Sequence, residues 1–61
     1  MTPAALGHLC EAHGHVRLAR LLGWHYSTLW RKLNGKSRIT RADELAILAV
    51  IAERLKALAR E

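Results

Sequence analysis

Sixty-one residues with ten Lys or Arg against five Asp or Glu carry a net charge of +5 and leave room for no more than one domain. A chain this short buries only about 60% of the surface its unfolded form exposes, so a marginally stable monomer is expected. Half the residues are apolar, yet there is no Phe, one Tyr and two Trp, which excludes an aromatic core and predicts an aliphatic, helical one.

The lone Cys10 excludes an internal disulfide, and the first residues lack the charged, apolar and small-residue regions of a secretory signal. A cytoplasmic protein is the expectation. The longest apolar run, Leu45 to Ala52, is far shorter than the roughly 20 residues that span a bilayer, so no membrane partner is expected.

In chain order, Thr2 before Pro3 reads as an N-cap followed by the residue best tolerated at the first helical position. A first helix is predicted from about Pro3 to His13, with Leu6, Leu9 and Cys10 on one face and Gly14 as its stop. A second covers about Val16 to Leu22, with Leu18, Ala19 and Leu22 inward and Arg17 and Arg20 outward. Gly23 ends it. A third runs from about Tyr26 to Leu33 on a Leu29 and Leu33 seam, and Asn34-Gly35 supplies the stop.

Beyond a basic loop from Lys36 to Arg38, Thr40 and Asp43 have the spacing of a capping box and open a fourth helix from about Arg41 to Ala59. Its stripe of Leu45, Leu48, Ala49, Ala52 and Leu55 is expected to close the core. Ile47, Val50, Ile51 and Leu58 extend the apolar arc past what three short helices can cover. With Arg54 they are expected to pack against a second copy in a homodimer, the alternative being that the fourth helix only wraps more of its own domain. The fold class is all-α: one compact four-helix domain over residues 1–61, with a central helix-turn-helix at about 15–35 and a long C-terminal helix at about 41–59.

From Ala12 to Ala42 the chain carries Arg17, Arg20, Arg31, Lys32, Lys36, Arg38 and Arg41 without one Asp or Glu. Ordinary surfaces mix both signs, so this run points to a polyanionic partner. Within it, Ala19 and Gly23 take the places where two steeply crossing helices need a small contact residue and a turn residue at positive φ. Leu18, Leu22, Trp24 and Leu29 fall where such a hairpin needs apolar contacts.

Residues 15–35 resemble the helix-turn-helix of phage repressor and Cro-type regulators, with Asn34-Gly35 matching the common end of their recognition helix. Thr28-Leu29-Trp30-Arg31-Lys32-Leu33 resembles the recognition helix of Fis and NtrC-type domains. Lys32 stands where repressor-type motifs place an apolar residue, which leaves the packing to Leu29 and Leu33. The resemblance implies a sequence-specific regulator of transcription that binds double-stranded DNA at a palindromic operator as a homodimer. Cro-like, antitoxin-like and anti-CRISPR-associated repressors are all compatible with it.

With the third helix in the major groove, Tyr26, Ser27, Trp30 and Arg31 are the expected base readers, Arg31 as a bidentate partner of guanine. His15, Arg17, His25, Thr28, Lys32, Asn34, Lys36 and Arg38 are expected to hold phosphates. Two other readings of the same residues are an adaptor or inhibitor docking an acidic protein through the basic face and the fourth helix, and an RNA-binding module.

No nucleophile and base stand together near Glu11, Asp43, Glu44, Glu53 or Glu61, so neither catalysis nor a cofactor or small-molecule ligand is expected. Cys10, His13 and His15 are too few for a closed metal site, and no metal is expected. Cys10 is assigned to the core and His8 and His13 to the surface.

Overall fold

The computed structural model describes residues 1–60 as four helices: α1 Pro3–His13, α2 His15–Leu22, α3 Tyr26–Leu33 and α4 Arg41–Ala59. The fold class is all-α, as the aliphatic and Pro-poor composition predicts. Thr2 caps α1, its Oγ1 accepting from Ala5 N at 3.1 Å, and Pro3 stands in the first turn. The second helix begins one residue earlier than its hydropathy suggests, at His15, because Gly14 serves as the C-cap of α1 and the N-cap of α2.

At the centre lie Leu6, Cys10, Leu18, Ala19, Leu29 and Ile47, all buried, drawn from all four helices. Met1, Leu9, Leu22, Trp24, Leu33, Ile39, Val50 and Ile51 pack around them. Each fully buried Leu or Ile contributes about 1.5–3 kcal/mol, which makes these few side chains decisive in so small a body. Burial also pushes the Cys10 thiol up, consistent with an inert core residue. Helix α2 touches each of the other three, so it is the element around which the rest are arranged.

The fourth helix is turned by about a third of a turn from the expected rotation. Ile47 is fully buried, Val50 and Ile51 pack on the core, and Arg54 Nε donates to His13 Nδ1 of α1 at 3.0 Å. Ile47 is therefore part of this chain's own core, and the expectation that it meets a second copy is corrected; Val50, Ile51 and Arg54 are half-buried against the rest of the chain. His13, assigned to the surface, is half-buried by the same contact. Leu45, Leu48, Ala49, Ala52 and Leu55, expected to close the core, are exposed, as is Leu58.

A polar anchor explains the turn. Both stripes of α4 are apolar, so burying either would satisfy hydropathy, but Asp43 has only one place to go. It completes the capping box, Asp43 N donating to Thr40 Oγ1 at 3.1 Å and Thr40 N to Asp43 Oδ2 at 3.0 Å. The same Oδ2 takes a 2.7 Å bond from Lys32 Nζ on α3. Ile47, Val50 and Arg54 follow Asp43 by four, seven and eleven residues, so the face that carries Asp43 to Lys32 carries them to the core.

Candidate nucleic-acid interface

The hairpin joining α2 to α3 is set by backbone conformation before any side chain acts. Gly23 takes φ 72° and ψ 23°, a left-handed conformation that costs other residues energy. Trp24 N donates to Ala19 O at 2.9 Å and Gly23 N to Arg20 O at 3.1 Å, the paired bonds of a Schellman cap. A side chain at Gly23 would meet nothing within 4 Å, so the requirement is for the dihedral and not for space. The end of α3 repeats the device: Lys36 N donates to Arg31 O at 2.8 Å and Gly35 N to Lys32 O at 3.4 Å, with Gly35 at φ 72°.

Between these two caps α3 divides into two faces. Leu29 and Lys32 are buried and Thr28 and Leu33 half-buried, whereas Tyr26, Ser27, Trp30 and Arg31 are all exposed. The four residues expected to read bases thus share one open face. Tyr26 and Trp30 are 50% and 46% exposed. Lys36 Nζ stands over the Trp30 ring, 5.8 Å from its centroid, and Asn34 Nδ2 donates to Trp30 O at 2.8 Å. The loop after α3 is thereby drawn towards its exposed aromatic side.

Of the residues expected to hold phosphates, Arg17, His25, Lys36 and Arg38 are exposed, His15 and Thr28 are half-buried, and Asn34 is exposed but bonded to its own helix. Lys32 is corrected: it is 8% exposed, and its ammonium is shared among Asp43 Oδ2, Arg38 O at 2.9 Å and the Trp24 ring at 5.4 Å. A charge already carrying three partners inside the fold is withdrawn from any ligand. The Lys32 bond, and then that from Thr40 N, holds the Asp43 carboxyl below its ordinary value. No local pattern marks this clamp, since Lys32 and Asp43 lie eleven residues apart on different helices.

The open cations are elsewhere. Arg17, Arg20, Arg31, Lys36 and Arg38 are exposed, and among the described residues none of them lies within ion-pair distance of a carboxylate. Arg20 joins this set although the sequence marks it only as outward-facing. Arg41 leans on Glu44 at 3.7 Å. Among the described residues no three His, Cys, Asp or Glu side chains gather to hold a metal ion, and no helix is long and apolar enough to cross a membrane. A separate open groove of about 500 Å³ runs between Leu21 of α2 and Ala49, Val50, Ala57 and Leu58 of α4.

Comparison of the chain with protein-family models, with curated proteins and with solved structures finds no match.

Proposed function

We propose that the chain is a small helix-turn-helix regulator that binds double-stranded DNA sequence-selectively, with α3 in the major groove. The observation that carries this reading is the open face of α3, where Tyr26, Ser27, Trp30 and Arg31 stand together beside cations that no acid neutralises. Arg31 pairs with guanine O6 and N7, Ser27 and Tyr26 offer hydroxyls to base edges, and Trp30 gives apolar contact to a thymine methyl. Arg17, Arg20, Lys36 and Arg38 hold the flanking phosphates, with His15 and His25 beside them. The protein acts as a homodimer at a palindromic operator, in the manner of phage and prophage repressors. Such a protein works where bacterial or phage DNA lies, in the cytoplasm.

Anisotropy titrations with a selected duplex and a random duplex, repeated over a salt series, test this. Arg31→Ala lowers the preference for the selected duplex by about 1–3 kcal/mol. Lys36→Ala weakens binding to both duplexes alike and reduces the salt slope by about 1. A chain that never prefers the selected duplex over the random one is not a sequence-specific regulator. The exposed Tyr26 and Trp30, one helical turn apart, favour a second reading in which unpaired bases stack on them. Under it, single-stranded RNA or DNA outcompetes the duplex and Trp30→Ala costs more affinity than Arg31→Ala.

A further inference from the structure

With Ile47 buried and Val50, Ile51 and Arg54 half-buried against the rest of the chain, a different surface of α4 is left without a partner. Leu45, Leu48, Ala52, Leu55 and Ala59 recur at alternating spacings of three and four, the a and d pattern of a coiled-coil seam. All five are exposed, the three leucines by 52%, 49% and 53%. The seam lies about a third of a turn around the helix from the buried face, so nothing in the chain reaches it. A continuous leucine ridge is more apolar surface than a small monomer ordinarily leaves in water.

We infer that this seam is the pairing surface of the protein and that its occupant is a second copy of α4 running antiparallel. The paired state proposed above is assumed; its DNA target is not. Two features of the seam select that occupant. First, its order is self-complementary. A two-fold axis beside residue 50 sets Leu45 of one copy opposite Leu55 of the other and Leu48 opposite Ala52, so each central layer joins a large side chain to a small one. Second, direction matters to the helix dipoles. Asp43 and Glu44 are already paired within the chain, with Lys32 and with the N-terminal amine and Arg41, so the ends of α4 meet a partner chiefly through their backbone groups. Antiparallel pairing sets the positive N-terminal end of each α4 beside the negative C-terminal end of the other, whereas parallel pairing aligns like with like.

Sedimentation of the 61-residue chain over a concentration series, without DNA, tests the inference. The mass is expected to rise from 6.9 kDa towards twice that value, and Leu55→Glu and Ala52→Glu are expected to remain monomeric with unchanged helical circular dichroism. Mixed Leu48→Cys and Ala52→Cys chains are expected to cross-link with each other in preference to themselves. Wild-type chain that stays monomeric throughout overturns the proposal. So does a dimer that survives both Glu substitutions, or one that Leu21→Glu dissociates and Leu55→Glu does not, which moves the interface to the groove between α2 and α4. Self-linking of Leu48→Cys overturns the antiparallel arrangement. A chain that pairs through the seam yet prefers no duplex leaves this inference standing and removes the DNA reading alone.

Discussion

Helices α3 and α4 solve the same problem with opposite amounts of information. On α3, apolar Leu29 and Leu33 face polar Ser27 and Arg31 across the helix, so only one rotation buries the apolar side and the open face follows automatically. On α4, Leu, Ile, Val and Ala occur almost all round, and two rotations bury comparable apolar area. There the choice falls to polar anchors: Asp43 on Lys32, Glu44 on the N-terminal amine and Arg54 on His13. Asp43 must reach Lys32, and the body of α4 turns with it. A helix that is apolar on every side is oriented by its few polar anchors, and the apolar face those anchors leave outside becomes available to a partner.

The largest effect that separates the two helices comes from trimming one leucine on each. Leu29→Ala empties a fully buried site and is expected to cost about 2–5 kcal/mol in chemical unfolding, a large share of the stability of so small a domain. Leu48→Ala, 49% exposed, is expected to change the stability of the monomer by no more than about 0.5 kcal/mol. Equal losses at the two sites would mean that α4 packs by the stripe its hydropathy first suggests.

The next effect is on the anchor itself. Asp43→Asn removes a charged bond to a nearly buried Lys32 and is expected to cost about 2 kcal/mol. Because Lys32 also donates to Arg38 O, amide exchange in the loop from Lys36 to Thr40 should quicken as well. The pH dependence has a definite sign. A carboxyl whose value is lowered on folding adds stability that is fully present above the ordinary Asp value of about 3.9 and is lost as pH falls through the lower folded value. Acid unfolding of wild type should therefore steepen below about pH 4, and the Asp43→Asn profile should lack that component. The smallest of these effects belongs to the turn: Gly23→Ala should cost about 1 kcal/mol, read from the thermal midpoint, through the left-handed dihedral alone.

The same contrast explains what could be read from the chain. Helix ends were legible because Thr2-Pro3, Gly23, Asn34-Gly35 and the Thr40 and Asp43 pair each satisfy backbone groups locally, within a few residues. The exposed face of α3 was legible for its strong alternation. Lys32 was not, because a cation in a basic run looks solvated until its acid partner, eleven residues away, is brought beside it by the fold. Arg54 was hidden in the same way behind His13, forty-one residues distant. Long-range polar pairs leave little local pattern, and in this molecule they decide which way its longest helix faces.

Selection of bound sequences from random duplex DNA tests the proposed role most directly, since it asks whether the open face of α3 reads bases at all. The account predicts one enriched motif with two-fold symmetry and half-sites about 34–36 Å apart, and loss of a conserved guanine from each half-site when Arg31→Ala is used in place of wild type. A pool that stays random after selection, with bound duplexes held no more tightly than the starting mixture, contradicts it.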